Sequence, residues 1–164
     1  MQGLLYFRNL SEKANRCCVA AIDLAGQMGH LYVGTEHLLA GILTEGTSRA
    51  AVLLCERGMS GRIYLDYLRL QVGKGIAVRL SPADFTGNVV RILEAAASKS
   101  EMQGEPKARP EHLLAAMLRA ENSTALRHIT QFGIDCEVLL SACESGYSSA
   151  MGLGGYARVQ QSTQ

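Results

Sequence analysis

The sequence carries almost no excess charge: 16 basic side chains against 15 acidic ones leave +1 over 164 residues. That balance gives no electrostatic case for nucleic acid or an anionic membrane surface as the partner. No stretch approaches the roughly 18 to 20 apolar residues that a membrane helix requires. The opening "MQGLLYFRNL" holds too short an apolar run for a secretory leader. Cys17, Cys18, Cys55, Cys136 and Cys143 form no C-x-x-C pair and no metal-type spacing. Their odd number, with no leader, leads to the expectation of reduced thiols in a soluble, cytoplasmic protein. β-Branched alternation and Asn-Gly turns are missing as well, which argues against sheet.

What is present is a globular composition, 48% apolar, and a duplication. An offset of 75 residues aligns Leu10–Leu65 with Phe85–Leu140 without a gap, and fourteen of the 56 pairs are identical. Chance identity would be roughly one position in fifteen at ordinary composition. The identical pairs include Arg16/Arg91, Ala21/Ala96, Gly29/Gly104, Ser48/Ser123, Gly58/Gly133 and the block Glu36–Ala40/Glu111–Ala115.

Each copy reads as four helices. The first begins at a hydroxyl residue suited to capping free amides, Ser11 or Thr86, and Gly29 or Gly104 ends it. The second opens at a Glu-His pair and turns Leu38, Leu39, Ile42 and Leu43 inward, matched by Leu113, Leu114, Met117 and Leu118. The third runs from about Ser48 to Arg57 and from Ser123 to Phe132, with Gly58 and Gly133 as stops. Ser60 and Asp135 cap a fourth, which carries Ile63, Leu65 and Leu68 or Val138, Leu139 and Leu140. The expected fold is all-α: two tandem pseudo-symmetric four-helix repeats packed as one compact eight-helix domain. Residues 10–72 and 84–145 form the repeats, and 1–9 a short N-terminal segment. Residues 73–83 connect the repeats, and the Gly/Ser-rich 146–164 form a flexible tail or linker.

The chemistry open to these residues is narrow. A metalloprotease helix needs H-E-x-x-H, whereas the order here is Glu-His, and His30 and His128 do not recur at the offset. No metal site and no cofactor is expected. Cys17 and Cys18 sit mid-helix on an apolar face, where thiols are usually inert, so a Cys- or His-based hydrolase is a minor alternative. "VGKGIA" lacks the spacing of a phosphate-binding loop. His128 stands where the repeat has Leu53, so it is expected at the core edge with a hydrogen-bond partner.

The Glu-His pair itself has a structural reading. Pro110 belongs at N1, which puts Gly34 and Arg109 at N-cap, Glu36 and Glu111 at N2, and His37 and His112 at N3. A carboxylate at N2 faces free amides and the positive end of the helix dipole, worth roughly 0.3 to 1 kcal/mol. Helix initiation thus accounts for the acid. It leaves open why both residues are kept while the cap changes from Gly34 to Arg109.

Two four-helix copies with an Ala-rich first helix, a Gly turn and "xEHLLAxxL" resemble the Clp N-terminal repeat domain. "GHLYVGTEHLLAGIL" followed by "GTSRAAVLLCERG" looks most like the N-domain of C-type Clp ATPases, the bacterial AAA+ unfoldases. The second copy departs from the pattern: "GEPKARPEHLL" lacks the Gly-Thr. The resemblance implies a non-catalytic recognition module that receives adaptor proteins or protein substrates for a Clp ATPase ring, in cis or in trans. A free-standing accessory protein docking on a Clp protease or unfoldase is the alternative. The resemblance further implies two pockets for arginine-phosphorylated proteins, one per repeat. Glu36 and Glu111 would pair with the guanidinium, and Ser11 and Thr86 would meet the phosphate.

Overall fold

A computed structural model describes residues 7–73 and 75–151, and among them the regular structure is helical. The first repeat contributes α1 (Glu12–Gln27), α2 (Thr35–Glu45), α3 (Arg49–Glu56) and α4 (Gly61–Val72). The second contributes α5 (Gly87–Met102), α6 (Pro110–Arg119), α7 (Thr124–Gln131) and α8 (Cys136–Met151), after a single 3-10 turn at Pro82–Asp84. The all-α expectation with two tandem four-helix repeats is met. The stretch read as a tail is helical through Met151; its residues 152–164, like residues 1–6, lie outside the described residues.

The boundaries follow from cap chemistry. Ser11 and Thr86 accept the amides of Ala14 and Val89, three residues on, and Ser48, Ser60 and Ser123 do the same for α3, α4 and α7. The Asp135 carboxylate takes the amides of Glu137 and Val138 at the start of α8. After α1 and α5 the chain turns through Gly29 and Gly104 at φ 79° and 80°, a left-handed conformation that glycine adopts without penalty.

Packing is strongest between α1 and α2, which cross as an antiparallel pair with Gly41 at the contact. Leu38, Leu39, Ile42 and Leu43 are buried, as are Leu113, Leu114, Met117 and Leu118. On the fourth helices the inward residues are Tyr64 and Leu68, and Leu139 and Cys143. Ile63 and Val138, which the duplication also marks as apolar, face solvent. Between Cys17, Cys18 and Cys143 burial is so complete that each thiol is pushed up, Cys18 and Cys143 to about 12. None of the three supplies a thiolate at neutral pH, so burial removes them as nucleophiles.

The two repeats are bonded to each other through named side chains. The Tyr64 hydroxyl lies 2.6 Å from His128 Nδ1, and Tyr67 joins the same cluster edge-on to His128 and Phe132. His128 is therefore a buried, partnered histidine, as its place in the repeat suggests. Arg49 donates to the Ala142 carbonyl at 3.2 Å. Thr35 Oγ1 accepts the Ala125 amide at 3.0 Å, so the first repeat helps to cap α7 of the second. Pro110 occupies the equivalent place in the other copy and has no hydroxyl to offer. Replacing Thr35 with Val should lower stability by about 1 kcal/mol, since a buried helix-entry amide loses its acceptor. A urea midpoint unchanged from wild type would show that this bond contributes nothing net.

Candidate functional site

The Glu-His pairs lie where the repeat alignment puts them, on the first turns of α2 and α6, with Gly34 and Arg109 as N-caps in extended backbone. His37 and His112 are the N3 residues, and each ring reaches back over the turn. The Gly34 amide donates to His37 Nδ1 at 2.9 Å, and the Arg109 amide donates to His112 Nδ1 at the same distance. This is the reciprocal half of a capping box, with imidazole in the place usually held by Glu or Gln. It explains why histidine is kept in both copies while the cap residue changes: the bond uses the cap's backbone, not its side chain.

The acceptor role also fixes the tautomer. With Nδ1 taking an amide hydrogen, the proton sits on Nε2. In the first copy Nε2 is 2.6 Å from His30 Nδ1, and in the second it is 3.0 Å from Gln103 Oε1. Burial and, second, the neighbouring His30 push His37 down to about 3. Burial, then Arg109 and Lys99, push His112 down to about 4. Both rings are neutral at physiological pH and act as structure, not as acid or base.

The carboxylates one position earlier are oriented differently. Glu36 is 8% exposed and folds back over its own N-cap, so close that a Cβ on Gly34 would meet its Oε1 at 2.5 Å. Its Oε2 accepts the Tyr32 hydroxyl at 3.2 Å, and its charge holds the Tyr32 phenol above the ordinary value after burial has raised it. Tyr32 stacks on His30, which completes a ring of side chains around the entry of α2. Glu111 is 6% exposed and lies 3.7 Å from the Arg109 guanidinium, which also bonds Glu105 at 3.2 Å.

The hydroxyl caps lie beside the helix entries that carry the acids of the other repeat, not of their own. Because α1 and α2 run antiparallel, Ser11 stands at the far end of that hairpin from Glu36, near Lys13, which bonds the Thr47 carbonyl. The Ser11 amide instead donates to the Ala108 carbonyl at 2.7 Å, and the Ala108 amide donates to Asn9, which sets Ser11 beside the loop that enters α6 and Glu111. The mirror arrangement joins Val33 to Phe85: the Thr86 amide donates to the Val33 carbonyl at 3.0 Å, placing Thr86 beside the entry of α2 and Glu36. The structure therefore groups the expected residues across the repeats, Glu36 with Thr86 and Glu111 with Ser11, as two composite candidate sites. Periodicity could not supply this, because a repeat alignment says which residues correspond and not which ones touch. Tyr32 and Gln103, which sequence reasoning left out, and His30, which it set aside as non-recurring, lie in the Gly-containing turns flanking each entry. Of these, Tyr32 stands one helical turn before Glu36, a spacing that could have marked it.

Two regions of the chain, residues 9–84 and 84–163, match the same family model, the Clp repeat (R) N-terminal domain. The chaperone protein ClpC1, chloroplastic, of Oryza sativa subsp. japonica is 29% identical over 160 residues, covering 94% of this chain and 17% of that protein. An ATP-dependent Clp protease ATP-binding subunit ClpA homolog from Cyanidium caldarium is 32% identical over 138 residues, 82% of this chain and 16% of that one. The chain thus spans about a sixth of the length of these curated relatives. Among solved structures, the N-terminal domain of the caseinolytic protease associated chaperone ClpD from Arabidopsis thaliana superposes with a TM-score of 0.71 at 21% identity. That match covers 85% of this chain and 97% of the other. The N-domain of ClpV from Vibrio cholerae gives 0.68 at 20% identity, over 90% of each chain. At such identities these likenesses establish a shared fold.

Proposed function

We propose, from the premise that this chain belongs to the Clp repeat (R) N-terminal domain family, that it is a non-catalytic recognition module of a Clp-type AAA+ unfoldase. In this reading it receives adaptor proteins or protein substrates, among them arginine-phosphorylated ones, for ATP-dependent unfolding or degradation. The cytoplasm is its proposed location, a reading supported by cysteines that stand as free thiols.

The observation that carries the phosphoarginine reading is the composite site of Glu36 and Thr86. A nearly buried carboxylate at the entry of α2 is set beside the N-terminus of α5, whose first amides have no intrahelical acceptor. The two halves have opposite polarity. A guanidinium would donate to Glu36, because its planar donor fork suits a carboxylate. A phosphate would lie at the α5 entry, where amides and the helix dipole favour an anion. Thr86 Oγ1 accepts from the Val89 amide at 3.3 Å, which leaves its own proton to donate to a phosphate oxygen.

Titration with free phosphoarginine tests this. Glu36→Gln keeps the shape and removes the charge, and should weaken binding by roughly tenfold or more, since a bond to a charged group contributes about 1.5 to 3 kcal/mol. Binding that is indifferent to Glu36→Gln would reduce Glu36 to a helix-entry residue and leave adaptor docking as the function.

A further inference from the structure

The two composite sites differ at one position in a way the duplication makes visible. The N-cap of α2 is Gly34, and that of α6 is Arg109. Over Gly34 the Glu36 side chain fills the space a Cβ would take. Over Arg109 the arginine's own side chain occupies the entry, and its guanidinium bridges Glu111 Oε2 at 3.7 Å and Glu105 Oε2 at 3.2 Å. The contact is sheltered: the Glu111 side chain is 8% exposed, and Arg109 Nε is buried without an acceptor. A guanidinium held between two carboxylates in a partly buried entry, with the Arg109 side chain 29% exposed, is the chemistry that an incoming arginine would have to supply.

We propose that Arg109 is an internal occupant of the second site, so that the protein binds a guanidinium ligand at the Glu36 site alone. Residue 109 then determines valency. This rests on the guanidinium reading above and goes beyond it in predicting that the duplication no longer gives two equivalent sites. An external arginine at Glu111 must displace a tethered one, whose effective concentration is high because the linkage is only two residues long. Glu105 reinforces the occupant by accepting from one terminal guanidinium nitrogen of Arg109 at 3.2 Å while the other faces Glu111. The lost bivalency means that two modified arginines on one substrate gain no avidity from a single copy of this domain.

Calorimetric titration with free phosphoarginine decides it, using the wild type, Arg109→Gly, Glu36→Gln and the double variant Glu36→Gln/Arg109→Gly. Glycine is well tolerated at an N-cap, and Arg109 has ordinary extended backbone at φ −100°, so the variant should fold; Arg109→Ala serves as a second opening of the site. One site in wild type, two in Arg109→Gly, and one restored in the double variant would establish the internal occupant. Two sites in wild type would overturn it while leaving the phosphoarginine reading intact. No site in wild type but one in Arg109→Gly would overturn the single Glu36 site, and one site in both would show that Arg109 blocks nothing. No binding by any of the four would remove both readings.

Discussion

Lowering the pH from 7 to 4.5 is expected to cost this protein about 4 to 5 kcal/mol of stability through two histidines, His37 and His112. Each is buried and neutral, its Nδ1 already accepting the N-cap amide, so a proton there would set two donors against each other. In the unfolded chain both rings titrate at the ordinary value near 6.5. Their folded values are about 3 and about 4. Between those limits the unfolded state binds protons that the folded state refuses. Stability therefore falls as pH drops below about 6.5, by about 1.4 kcal/mol per pH unit for each ring. Above about 6.5 both states are neutral at these rings, and they impose no pH dependence.

Glutamine is the control that isolates the effect, because it is a natural N3 partner whose side-chain oxygen can take the N-cap amide without titrating. His37→Gln/His112→Gln should cost about 1 to 2 kcal/mol at pH 7, from lost ring packing, and should flatten the slope between pH 6 and 4.5. Carboxylates such as Glu45, held below its ordinary value despite burial by bonds from Thr47 and by Lys13 and Arg16, lose stability lower down and do so in both proteins. Urea midpoints across that range measure the difference. Equal slopes in wild type and double variant would show that the two rings do not carry the acid sensitivity.

These rings also mark where the sequence could be read and where it could not. Cap chemistry is local, so Ser11, Ser48, Ser60, Thr86 and Ser123 announced the helix starts, and the observed bonds fall on those residues. The place of Glu36 and His37 on the first turn of α2 was legible for the same reason: it needs only the offset to Pro110. What His37 does there was not, because an imidazole at N3 packs or accepts depending on burial, and burial is set by elements distant in sequence. The pairing of Thr86 with the Glu36 entry was equally hidden. It arises from antiparallel hairpins docking head to tail, which joins Val33 to Phe85 and Leu10 to Ala108. Internal homology finds equivalent residues and is blind to which equivalents exchange partners. The Arg109 pairing was half visible, since the loss of glycine at the second N-cap stood out, but its guanidinium's direction did not.

The same blindness bears on Gly41, where conservative substitution should have an effect of unexpected sign. The repeat pairs Gly41 with Ala116, and in a helix interior alanine is favoured over glycine by about 1 kcal/mol. In the structure a Cβ at Gly41 would stand 2.2 Å from the Cys17 carbonyl oxygen and 3.0 Å from the Ala21 amide nitrogen. Those are backbone atoms of α1, so no side chain can swing aside, and the two helices must separate. They form the tightest packed pair of the fold, closing over Cys17, Cys18, Ala21 and Leu38, all fully buried. Gly41→Ala should therefore destabilise by about 3 kcal/mol, the upper range for overpacking, outweighing its propensity gain. The melting temperature should fall by roughly 6 to 12 °C at the scale expected for a chain of this size. The second copy supplies the contrast. Ala116 is only half-buried and lines a groove of 860 Å³ between α5 and α6, where the backbones approach less closely. Ala116→Gly should cost only the propensity difference, about 1 kcal/mol. Thermal unfolding followed by circular dichroism compares the two exchanges directly. A neutral or stabilising Gly41→Ala would mean that α1 and α2 have room to part, and that the glycine is a remnant of sequence drift instead of a condition of the packing.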